Sequence, residues 1–194
     1  MGLRDRLLVS NEDTDRLKPF VREAVVVSAR TSPIDYPVAG QLLSIEAFFG
    51  RLREMVGNVF SDSGHDQERN RGAALHRLVC HNLGYANYRD DGRFPDVKHQ
   101  LLEVKLQTSL TIDLGLVTPD STAALDMPMV GALQMRHCDV RYALFYANTD
   151  GRRVELTHLF MATGEQFFSR FRKFQGNILN RKLQISLPGN FFDD

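Results

Sequence analysis

The stretch Asp90-Asp91-Gly92-Arg93-Phe94-Pro95-Asp96-Val97-Lys98-His99-Gln100-Leu101-Leu102-Glu103-Val104-Lys105-Leu106-Gln107 decides how this chain is read. Asp90-Asp91-Gly92 is turn chemistry. From Leu101 onward the residues alternate as a β-strand does. Leu102, Val104 and Leu106 fall on one face, and Leu101, Glu103, Lys105 and Gln107 on the other. The whole reads as a β-hairpin with Pro95-Asp96 at its end and Glu103-Val104-Lys105 on the returning strand. Three polar residues on one face of an apolar strand are costly unless they find partners or do chemistry. Residues two apart on a strand point alike without meeting easily. A direct ion pair between Glu103 and Lys105 is therefore not expected, and a shared third partner is. Two acids suit a hard, oxygen-seeking cation such as Mg²⁺. Such an ion lowers the pKa of a bound water and neutralises charge on a phosphate, and an adjacent amine can orient the water or screen the phosphate.

Outward from this stretch, Asp13-Thr14-Asp15 predicts the cap of a helix running to about Ser28. Pro33, Pro37 and Gly40 mark a connection. The apolar stripe Leu43, Ile45, Phe48, Phe49, Leu52, Met55 and Val56 predicts a helix within 41–59. A further helix is predicted from about Asp66 to Asn82, ended by Gly84. Its Gly72, Leu75, Val79 and Leu83 share a face with Glu68, one turn earlier. After the Glu-Val-Lys strand, residues 108–116 continue in strand-like fashion, and 119–128 is a loop. Asp139–Ala147 is apolar on both faces except for Arg141, the mark of a central strand. Arg141 then needs a partner, Asp139 or a phosphate. Asn148–Gly151 is a turn into a strand over 152–158, giving a hairpin. Phe167, Phe171 and Phe174 predict a helix over 164–175, and Leu183, Ile185 and Leu187 a last strand. The expected fold class is α/β, with a central mixed β-sheet flanked by helices. Residues 1–60 are expected to form an N-terminal helical, accessory region and 61–194 the core.

The 194 residues suffice for a domain with a real core, and 43% are hydrophobic. Lysine plus arginine and aspartate plus glutamate both number 24. The balance argues against a protein that coats nucleic acid by charge alone. No stretch has the length of a membrane span, and the start lacks a signal-peptide apolar run. Cys80 and Cys138 give no disulfide framework. A cytoplasmic protein without membrane partners is expected. His76, Cys80, His81, His137 and Cys138 invite a zinc site, with His76 and Cys80 at a workable spacing, but no paired Cys-x2-Cys or His-x3-His accompanies them.

Pro95, Asp96, Glu103, Val104 and Lys105 together resemble the PD-(D/E)XK nuclease superfamily, to which many type II restriction endonucleases belong. The resemblance covers residues 66 to about 190 and implies a restriction-endonuclease-like core. It implies a Mg²⁺-dependent endonuclease acting on double-stranded DNA. Asp96 and Glu103 would bind the metal with the Val104 carbonyl, and Lys105 would assist the attacking water. Glu68 either completes the metal site or complements the helix dipole. Gln107 either positions substrate or is a polar strand-edge residue. Thr108 and Ser109 either donate to a DNA backbone or are ordinary strand residues. Arg136, Arg141 and Lys182 are the candidate DNA-binding cations. A palindromic target implies a two-fold homodimer, and a restriction system implies a companion methyltransferase. The alternatives are a repair or structure-specific nuclease on the same core, or a non-catalytic DNA-binding module.

Overall fold

The computed structural model describes residues 7–62, 67–109, 111–171, 177–179 and 182–187; the side chains of 67, 68, 177–179, 182–184 and 186 are outside the description. Strand β6 (Arg141–Thr149) organises the molecule. It is antiparallel to β7 (Arg153–Thr163) and parallel to β4 (Leu102–Gln107), and β3 (Val59–Ser61) adds on the far side of β7. The order β3-β7-β6-β4 makes a mixed sheet in which β4 lies at an edge. Side chains of β6 alternate as the strand period dictates. Ala143, Phe145 and Ala147 face helices α1 (Ile45–Leu52) and α2 (Gln67–Asn82), whereas Tyr142, Leu144 and Tyr146 face a second apolar cluster. That cluster includes Ile112 of β5 (Thr111–Asp113) and Ile185 of β9 (Lys182–Ser186), which form a separate antiparallel sheet with β8 (Asn177–Leu179). The protein is thus a mixed α/β structure in which α1 and α2 pack on one face of its main sheet. Among the described residues no helix is long and apolar enough to cross a membrane.

The first 60 residues contain less helix than expected. The chain turns once at Lys18–Phe20 in a 3-10 helix, then runs into β1 (Val21–Arg22), which pairs in parallel with β2 (Leu42–Leu43). Pro19 lacks the donor that would continue the helix, and the β-branched Val25-Val26-Val27 run does not favour one. Asp13 does cap a helix, but a distant one. Its Oδ2 accepts from Ile45 N–H (2.9 Å) at the start of α1, alongside the Ser44 cap. Leu8 bridges to Met161, and Leu43, Phe48 and Leu52 enter the same core as β6.

Other expectations are altered locally. Helix α2 ends as read: Gly84 takes φ 91° and Tyr85 N–H reaches Cys80 O (3.0 Å), a left-handed stop. The strand-like run after Gln107 breaks at Thr108 and Ser109, and β5 leaves for the other sheet. Strand β7 extends to Thr163, beyond the expected 158. The helix expected over 164–175 is described only as α3 (Phe167–Arg170); 172–175 lie outside the described residues.

Gly164 packs where no side chain fits. A Cβ there would collide with Pro119 O and lie 2.9 Å from both Cys138 Cα and His137 O. All three are backbone atoms, the last two in the His137–Asp139 turn. Gly164→Ala is expected to lower stability by about 1–3 kcal/mol, read as a lower urea midpoint with an unchanged slope.

Candidate active site

The arm that carries Asp96 is not a strand. Asp90 and Asp91 accept from Gly92 N–H (2.8 Å) and Arg93 N–H (3.1 Å), so the Asp-Asp-Gly turn is built by its own carboxylates. Val97 makes a single bridge to Leu102, and Lys98–Gln100 form a 3-10 turn. Leu101 then reverses the chain in a left-handed conformation, φ 48° and ψ 47°, a strained state for a side chain of this size. Leu101 O accepts from Arg141 N–H (2.9 Å) and Gln100 is tied to Leu43 N–H (2.9 Å) and Gln41 O (2.8 Å), which holds the reversal in place.

The reversal brings the two acids together through a reciprocal pair of hydrogen bonds. Asp96 N–H donates to Glu103 Oε2 (3.1 Å), and Val104 N–H donates to Asp96 Oδ2 (2.9 Å). Asp96 thus substitutes for a neighbouring strand at the open edge of β4. A residue's N–H and C=O leave a strand on the same side, so the Val104 carbonyl faces the Asp96 edge. Lys105 Nζ lies 2.8 Å from Glu103 Oε1. This corrects the expectation that the two would not pair: the four-carbon lysine stem folds back along the strand face. Glu103 is 5% exposed and Asp96 Oδ1 has no hydrogen-bond partner among the described residues.

Burial, then the neighbouring Glu103 charge, raises the Asp96 carboxyl well above the ordinary carboxylate range. Burial works against the Lys105 charge, but Glu103 and Asp96 outweigh it and hold the amine above its ordinary value. The folded chain therefore keeps a proton on Asp96 to higher pH than the unfolded chain. Stability must fall as pH rises from about 4 through that raised value. Asp96→Asn keeps an acceptor for Val104 N–H and removes the charge. It should stabilise the protein by about 1–3 kcal/mol near pH 8 and leave it unchanged near pH 4, as judged by urea titrations at both values.

Asp96, Glu103 and Lys105 open into a cavity of about 410 Å³ with Asp90, Arg93, Phe94, Leu114, Leu116 and His137. Lys105 also lines an adjoining cleft of about 420 Å³ with Arg71, Gln107, Thr108, Ser109 and Asp113. Gln107, Thr108 and Ser109 continue into a third, of about 260 Å³, beside Asn148 and His158. A trough therefore follows β4 from Asp96 to Ser109. Gln107 is buried in its wall, and Thr108 and Ser109 are exposed.

The other expected residues divide. Glu68 lies in the first turn of α2 and Lys182 begins β9, but their side chains are outside the described residues. Arg136 is bound to Asp139 (3.2 and 3.1 Å), where the pair closes the 137–139 turn. Arg141, expected to contact DNA, is 0% exposed. It donates to Leu43 O (3.0 Å), lies 3.6 Å from Asp13 Oδ1 and sits over the Phe48 ring. It is a core residue, and its partner is Asp13. Asp139, the other candidate partner, accepts instead from Thr14 (2.7 Å) and Arg136. His76 and Cys80 do approach, Nε2 to Sγ 3.5 Å, but the Cys80 thiol is pushed up to about 12 by burial.

From the sequence, Asp113, Phe94 and Arg71 carry no expected role at the site, and His137 enters only among the zinc candidates. Asp113 acts electrostatically on Lys105. Arg71 is clamped by Asp62 (2.7 and 2.6 Å), and its other nitrogen reaches Thr108 (3.4 Å).

Among the described residues no cluster of three or more His, Cys, Asp or Glu side chains could hold a metal ion. The oxygen donors at the β4 edge are two carboxylates and the Val104 carbonyl. They suit a hard divalent cation, because two close acids gain from a positive charge between them. Comparison with known protein families, curated proteins and solved structures finds no match to this chain.

Proposed function

We propose that the chain is a Mg²⁺-dependent DNA endonuclease of the PD-(D/E)XK type, closest in character to a type II restriction endonuclease. The observation that supports this most is the reciprocal Asp96–Glu103 latch with Lys105 on the same face, opening into one cleft. Asp96, Glu103 and the Val104 carbonyl would hold Mg²⁺, with Glu68 as a further candidate. The ion supplies charge neutralisation at the scissile phosphate and a more acidic water. Lys105 stays protonated at neutral pH, because Glu103 holds its amine above the ordinary value. It therefore acts as a positioned cation and not as a base: it orients the attacking water and screens the phosphate. Water oxygen bonds to phosphorus, the bond to the 3′ oxygen breaks and that oxygen takes a proton, leaving a 5′-phosphate and a 3′-hydroxyl. Gln107, Thr108 and Ser109, farther along the trough, would contact the DNA backbone. A symmetric target would be met by a homodimer.

Plasmid and phage DNA incubated with the chain and Mg²⁺ should yield discrete fragments, and none with EDTA. A smear would indicate a structure-specific nuclease of the same chemistry. Intact DNA in both samples would refute the proposal.

A further inference from the structure

The cleft beside Asp96 is not walled like a phosphate channel. Its acids, Asp90, Asp96 and Glu103, outnumber its bases, Arg93 and Lys105. What its mouth offers is apolar surface: Phe94 is 37% exposed, Val117 40% and Leu116 76%. Phe94 is fixed as a platform. Its ring is stacked on His137, with centroids 5.2 Å apart and planes 18° apart, and it also touches Tyr142 at 6.3 Å. Burial keeps the His137 imidazole below its ordinary value, so the stacked pair is uncharged near neutral pH. The platform is two residues from Asp96, on the same wall of the same cavity.

We propose that this cavity receives one unpaired nucleobase, stacked on Phe94 between Leu116 and Val117, with its phosphate beside Lys105. A volume of about 410 Å³ lies within the range of small-ligand sites and admits a single nucleotide. A flat, uncharged ring suits every base, because each has a π-face. The acidic lining disfavours extra phosphates and favours a ligand that brings one base and one phosphate. The inference rests on the nuclease reading and narrows it: the preferred substrate is a single strand, or a nucleotide extruded from a duplex at the cut site.

Fluorescence anisotropy in EDTA, which prevents cutting, tests it. The ligands are a short oligothymidylate and a blunt duplex of equal length, and the proteins are wild type, Phe94→Ala, Phe94→Tyr and Leu116→Asp. Oligothymidylate binding should weaken about 10- to 100-fold in Phe94→Ala, weaken in Leu116→Asp and persist in Phe94→Tyr, while duplex affinity falls less, because extrusion costs part of the stacking gain. Circular dichroism identifies any variant that fails to fold, and Leu116→Asp, at an exposed position, then carries the test. A 2-aminopurine in the oligonucleotide should be quenched by wild type and not by Phe94→Ala. Equal oligothymidylate binding by wild type, Phe94→Ala and Leu116→Asp overturns the base site but not the nuclease reading. A wild type that binds neither DNA, and leaves both intact once Mg²⁺ is added, overturns both.

Discussion

Asp96→Asn will fold, will bind DNA and will cut it at least about a thousand-fold more slowly than wild type. The substitution keeps the shape of the side chain and an oxygen for Val104 N–H, so the turn should persist. It removes one of the two negative charges that would hold Mg²⁺, and with it the charge neutralisation on which phosphodiester hydrolysis depends. Lys105→Ala should lose activity comparably, since it removes the positioned cation and leaves Glu103 unpaired. Both variants should retain DNA affinity, because the rest of the trough is unchanged. Single-turnover cleavage alongside a binding isotherm separates the two effects. Wild-type rates in either variant would exclude the assignment. With the gain in stability expected for Asp96→Asn near pH 8, the same substitution should make the protein more stable and less active, the pattern of a residue held in place for function.

Arg141→Ala will destabilise the chain by about 3–5 kcal/mol. That is a large part of the roughly 5–15 kcal/mol by which domains are stable. Arg141 and Asp13 are both buried, and truncating the arginine leaves the Asp13 charge without its counterion. It also removes the bond to Leu43 O and the packing on Phe48. Arg141→Met combined with Asp13→Asn should recover much of the loss, because charge and volume are then both accommodated. Urea denaturation of wild type and these two variants measures this. A DNA contact would behave differently: Arg141→Ala would melt like wild type and lose only affinity.

The sequence revealed those features that depend on local periodicity. The both-face apolar run of β6 and the alternation Leu102, Glu103, Val104, Lys105, Leu106 could be read directly, because a strand repeats every two residues. Helix α2 carried its own stop at Gly84. Long-range partners could not be read. Asp13 looks like the cap of the segment that follows it, yet it caps α1 more than thirty residues later. Asp139 is the nearest acid to Arg141 along the chain, but it is taken by Arg136 and Thr14. Asp96, Glu103 and Lys105 could be found because they lie within one reversal of the chain. Phe94, Asp113 and His137 line the same trough from separate loops and strands, and no spacing rule links them. The Glu103–Lys105 pair was misjudged because strand geometry fixes Cβ directions and not the reach of a flexible lysine.

Mn²⁺ binding to wild type, Asp96→Asn and Glu103→Gln near pH 8, followed by the electron paramagnetic resonance of the free ion with DNA present, tests the central claim most directly. One ion per chain in wild type, bound at least about ten-fold more weakly in each variant, is the predicted result. Identical binding by all three proteins, or no binding by wild type, would contradict it.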